Sequence, residues 1–191
     1  MRKRKKRQPS EQDVIVYATH EAGHAVAGHV IGRLIDEVSI VASREHGYTG
    51  YCSFSTYSES LHGHHQWLKE HTNPELVTIQ YAGTVAVEII CGMHGWDYEQ
   101  WRRSDLADFL FIDEWCQKTY TNEKQRSWMK KACYKQAREI LLRHWDAVDM
   151  LSVDLLQFGW TPGNEAHRII RQAIGETEDD WRLTVSNGDH R

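Results

Sequence analysis

Residues 74–93 constrain the fold most. Asn73-Pro74 opens a stretch in which Val77, Ile79, Ala82, Val85, Ala86, Val87, Ile89 and Ile90 put apolar groups on most sides of a helix running to about Met93. A helix apolar nearly all round cannot turn a face to water and belongs at the centre of a domain. Other helices must surround it, and the spacing supplies them. Glu11 to about Ile31 is periodic through Val14, Tyr17, Ala18, Ala22, Ala25, Val26 and Ile31, with Ser10 and Asp13 as cap residues and Gly32 as a stop. A third helix is expected from about Ser104 to Thr121, a fourth from Asn122 to His144 or beyond, and a last one capped by Thr161 with Pro162 at its first position, ending near Ile174. Glu37–Ala42 and Tyr48–Phe54 are β-branched or aromatic with partial alternation and read as two strands around a polar turn. Residues 55–72 read as a polar loop with a short helix around Gln66–Glu70. The class is mainly α with a small β-sheet (α+β).

At 191 residues, 40% hydrophobic and 26% charged, the chain can bury one real core. The expected division is a basic tail over 1–9, a folded domain over 10–175 and a flexible end over 176–191. Residues 2–7 are all Arg or Lys. Removing their six charges from the net −4 leaves the other 185 residues at −10. No run of 18 apolar residues occurs, and no apolar segment follows the basic start as in a secretory leader, so neither a transmembrane segment nor export is expected. Cys52, Cys91, Cys116 and Cys133 form no C-x-x-C pair. Four free thiols in a reducing, cytoplasmic compartment are the simpler reading. Of the eight tryptophans, Trp115, Trp128 and Trp145 fall in expected helices and are expected to pack.

The strongest chemical signal is His20-Glu21-Ala22-Gly23-His24. Residues four apart share one helix face, so two imidazoles at this spacing can hold one Zn²⁺. Glu21 follows the first ligand directly and suits a general base acting on metal-activated water. Ala22, Gly23 and Ala25 are small and let another helix pack close. The fold is thus expected to set a zincin-like H-E-x-x-H helix in a helical bundle, with one zinc per chain.

A catalytic zinc needs three protein ligands and an open position. The extended H-E-x-x-H-x-x-G-x-x-H pattern is absent, because residue 30 is Val30 and residue 27 is Ala27. His29 is one residue early and points to another side of the helix, so it reads as a structural or surface residue. The third ligand must come from elsewhere, with Glu88, Asp105 and Asp108 as candidates. His62, His64 and His65 read as an exposed loop cluster.

Four separated segments between residues 13 and 120 resemble the peptidase domain of the FtsH family of membrane-anchored ATP-dependent proteases. They are His20–Val26, Val38–Ile40 with Gly47–Thr49, Ala82–Gly92, and Ser104–Phe109. The second matches a Leu-Gly-Tyr-Thr segment, and the third a helix reading Ala-Gly-Arg-x-Ala-Glu-Glu-Leu-Ile-Phe-Gly. The fourth matches a Ser-Asn-Asp stretch, one residue shorter here. The resemblance implies that Asp105 is the third ligand, with Asp108 in reserve. It also implies that Glu88 stands beside the site orienting the imidazoles. There are departures. Thr84 stands where the family has Arg, Val87 where it has the first Glu, and Ala42-Ser43-Arg44 where it has Pro-Arg-Gly. No G-x-x-x-x-G-K-[ST] loop occurs in the 191 residues, so ATP-driven unfolding is not implied.

The function expected on these grounds is ATP-independent zinc peptidase action on unfolded or flexible polypeptides. In the family an extended peptide pairs with an edge strand, here Val38, Ser39, Ile40 and Val41 or its neighbour. Self-association into a homo-oligomer stays open. Two other classes compete: a regulatory scaffold that keeps the zinc fold without hydrolysis, and a module whose residues 2–7 dock an acidic partner, nucleic acid or anionic lipid.

Overall fold

A computed structural model describes residues 10–40, 50–55, 74–101 and 106–177. In chain order the elements are α1 (Glu11–Ile31), β1 (Ile35–Ser39), β2 (Tyr51–Phe54), α2 (Pro74–His94), a 3₁₀ turn (Tyr98–Gln100), α3 (Leu106–Thr119), α4 (Glu123–Arg143), α5 (Trp145–Phe158), β3 (Trp160–Pro162) and α6 (Gly163–Ile174). The protein is mainly helical with a three-stranded antiparallel sheet.

Local chemistry sets the ends of α1. The Ser10 side chain accepts from the Asp13 N–H while the Asp13 carboxylate accepts from the Ser10 N–H, a capping box with Asp in the place usually held by Glu or Gln. At the other end Gly32 takes a left-handed φ of 88°, and its N–H closes on the Gly28 and His29 carbonyls.

α2 lies at the centre as its composition demands. It packs on α1, α3 and α4, while α5 covers another side of α1 and α6 packs on α5 and β1. α2 is long and apolar enough to span a membrane by length and hydropathy, yet 78% of that window is buried inside the fold. The α1–α2 crossing is close. A Cβ on Gly23 would lie 2.7 Å from both the Ala82 carbonyl oxygen and the Ala86 Cβ, so only glycine fits there.

The sheet order is β2-β1-β3. Val38 is opposite Cys52 on one side and Thr161 on the other. This corrects the expectation that Val38 and Ser39 form a peptide-binding edge, because both are paired on two sides and β1 is the middle strand. Ile40 lies just past the strand, its N–H donating to the Gly159 carbonyl. Val41 lies outside the described residues. Thr161 is likewise not a helix cap. It is buried in β3, its hydroxyl bonded to Asp154, and Pro162 takes the N-cap position of α6.

All four cysteines are free thiols. Trp115 is buried and Trp145 packs against both core clusters, but Trp128 is exposed at 68% and does not join the core. Residues 1–9, the expected helix at 66–70, and His62, His64 and His65 lie outside the described residues.

Candidate metal centre

His20 and His24 project from the buried face of α1, one turn apart, and are 9% and 6% exposed. Their Nε2 atoms stand 3.0 Å from each other. From α3, Asp108 brings Oδ2 to 3.1 Å from His20 Nε2 and 3.4 Å from His24 Nε2. A tetrahedral ion with bonds of about 2.0–2.1 Å sets neighbouring donors about 3.3–3.4 Å apart. The three atoms therefore sit close to three corners of such a tetrahedron. Two imidazoles and a carboxylate form a donor set of a kind that suits zinc, and the three together could hold a metal ion.

The orientation of His24 is fixed from behind. Its Nδ1 donates to the Ile79 carbonyl at 2.7 Å, which leaves the Nε2 lone pair facing Asp108 and His20. Space for the rings comes from Gly83. A Cβ there would lie 2.5 Å from His24 Nε2 and 2.6 Å from His20 Cε1. Glycine inside a helix costs about 1 kcal/mol against alanine, so Gly83 in an apolar helix signals a close approach. That signal was available in the sequence at Ala82-Gly83.

The electrostatics match a cation site. Burial works against charge on His24. The charge and hydrogen bond of Asp108, followed by the charge of Glu21, outweigh it and raise the pKa to about 9. Asp108 is also penalised by burial, yet His24 and His20 hold its carboxyl well below the usual range. In the bare protein a proton thus occupies the ground between the lone pairs that a divalent ion would take.

Glu21 is 7% exposed and lies beside the cluster rather than in it. Its carboxylate meets the start of β2, where a Cβ on Gly50 would lie 2.7 Å from Glu21 Oε1. Cys52, the next residue but one, has its thiol pKa pushed well up by burial and then by the charge of Glu21.

The carboxylate at the imidazoles is Asp108, while Asp105 lies outside the described residues. Glu88 is not at the site. Its carboxylate is engaged by Tyr134 and, at 3.9 Å, by Arg138, both on α4. The helical phase explains this. Ala86 faces Gly23 of α1, and two residues on is about 200° around the helix. The orienting partner expected of Glu88 is instead the Ile79 carbonyl. No family model matches this chain, and no curated protein is significantly similar to it.

Proposed function

We propose that this chain is a zinc-dependent peptidase acting on unfolded or flexible polypeptides. The observation that carries the reading is Glu21. A donor triangle of His20, His24 and Asp108 suffices to hold a metal. A buried carboxylate immediately beside it is not one of the donors, yet it stands where hydrolysis needs a base. The likeness of four sequence segments to the FtsH peptidase domain supports the same reading.

When bound, zinc would lower the pKa of a coordinated water from about 15.7 to about 7 and polarise the scissile carbonyl. The chain's own residues do the rest. His20, His24 and Asp108 would hold the ion, with the Ile79 carbonyl locking His24 in the tautomer that offers Nε2. Glu21 accepts the proton of the attacking water and delivers it to the leaving amine nitrogen. Gly50 brings the start of β2 against Glu21. Among the described residues no strand pairs with the outer edge of β2. That edge can pair with an extended peptide backbone, which favours substrates without folded structure. Cleavage of an accessible bond requires no nucleotide.

Metal content and peptide-library digestion should be compared for the wild type and Glu21→Gln. Both should carry about one zinc per chain, while hydrolysis should fall about 10²–10⁴-fold in the variant. Equal cleavage by both proteins would overturn the assignment. So would a zinc-loaded wild type that cleaves nothing, which would leave a scaffold.

A further inference from the structure

A second buried histidine pair lies outside the metal centre. His29, near the end of α1, and His167, on α6, are 1% and 4% exposed, and all four of their ring nitrogens are engaged. The backbone N–H of Ile35 donates to His167 Nε2 at 3.0 Å, so that nitrogen carries a lone pair. A neutral His167 then has its proton on Nδ1, which donates across 2.7 Å to His29 Nδ1. A neutral His29 in turn has its proton on Nε2, which donates to Glu176 Oε2 at 3.1 Å. One arrangement of two neutral rings satisfies the whole chain of contacts.

No further proton fits. On His29 it would sit at Nδ1 and face the Nδ1–H of His167. Moving that hydrogen to His167 Nε2 would set it against the Ile35 N–H. A proton added to His167 lands at Nε2 with the same result. Each placement puts two hydrogens into one contact between buried rings, which turns a hydrogen bond into a repulsion.

We infer that His29 and His167 form a one-proton latch, which fastens α6, the start of β1 and the segment at Glu176 to the metal-bearing helix and opens when acid protonates either ring. The surrounding charges agree. Burial first, then Arg171 on α6 and His144 at the α4–α5 joint, lower the His29 pKa to about 4. Burial first, then His29 and Arg171, lower that of His167 to about 3. From the C-terminal side Glu176 accepts from His29, and β1 contributes the Ile35 N–H. The latch is independent of the metal reading, because neither residue is a donor of the metal group.

The test is made on the full chain. Imidazole ¹⁵N spectra at pH 7.5 should show His167 protonated at Nδ1 and His29 at Nε2, both remaining neutral down to pH 5. Hydrogen-exchange protection factors of the α6 amides should fall about ten- to hundredfold for each pH unit below about 6.5, the slopes for uptake of one proton and of two when both rings are freed. The double variant His29→Gln/His167→Gln should lose that slope. If it does not fold, the wild-type measurements decide alone. Either ring titrating near 6.5 in the folded protein, protection independent of pH, or an unchanged slope in a folded double variant would overturn the latch.

Discussion

Helix α1 carries two buried histidine contacts of nearly the same length and opposite character. At His20–His24 two Nε2 atoms meet at 3.0 Å. At His29–His167 two Nδ1 atoms meet at 2.7 Å. In the first, a carboxylate approaches both nitrogens, and the pKa of His24 rises to about 9 despite burial. In the second, each nitrogen is satisfied along a chain of donors and acceptors, and the pKa values fall to about 4 and about 3. Burial is common to both. What separates a candidate cation site from a structural pair is whether an anion lies across the two nitrogens or a backbone N–H feeds one end. Neither the identity of the residues nor their exposure makes that distinction.

Removing the anion should have the largest effect. Asp108→Ala should lower metal affinity by more than about 100-fold, since loss even of an outer partner typically costs 10–100-fold. Zinc titration against a chromogenic chelator measures it. Asp105→Ala, made alongside, should keep the metal. The reverse pattern would return the ligand to the position implied by the family resemblance and remove the basis of the comparison.

The ease of reading the sequence follows the range of the interactions. The limits of α1 are written in residues three apart, Ser10 and Asp13, and in Gly32, so they were legible. The central place of α2 follows from its own composition. β3 was not legible, because three residues become a strand only by pairing Thr161 with Val38 across more than a hundred positions. His29 could be excluded as a ligand from helical phase, but nothing local announces His167 as its partner. Glu88 lies about 200° around α2 from Ala86, but that Ala86 is the side facing α1 is set by the tertiary contact with Gly23, which α2 alone does not announce.

A smaller change sharpens the metal side of the comparison. Gly83→Ala should place its methyl against both imidazoles, forcing His24 off the Ile79 carbonyl. Helix propensity favours alanine by about 1 kcal/mol, whereas overpacking costs about 1–3 kcal/mol. The expected result is unchanged helicity by circular dichroism with zinc affinity reduced about 10–100-fold. Full affinity with a higher Tm would mean that the rings need no such cradle.

On the structural side the lever is pH. His29 and His167 have folded pKa values below the ordinary 6.5, so the unfolded chain binds more protons between about pH 6.5 and 4. Their contribution to stability is therefore fully present above about 6.5 and is lost as pH falls toward 4 for His29 and toward 3 for His167, on the order of a few kcal/mol. Urea midpoints from pH 7.5 to 4.5 should decline more steeply in the wild type than in the double glutamine variant. Any metal held at His20, His24 and Asp108 would be released from both proteins alike in acid, and its effect would cancel in the difference.

The smallest effect is expected at the outer end of that pair. Asp108 and Glu176 both meet a buried histidine nitrogen, but Asp108 has a side-chain exposure of 16% and lies across two lone pairs, while Glu176 is 37% exposed and accepts from a single N–H. A carboxamide oxygen can accept that hydrogen bond equally well, and solvent screens the lost charge. Glu176→Gln should thus cost less than about 1 kcal/mol in urea unfolding at pH 7.5. The corresponding Asp108→Asn should weaken zinc binding by about 10–100-fold or more, because a carboxamide oxygen is a far poorer zinc ligand than a carboxylate. If the two amide substitutions were equally harmful, charge would matter equally at both pairs, and the contrast between an anion-bridged site and a donor-fed chain would fail.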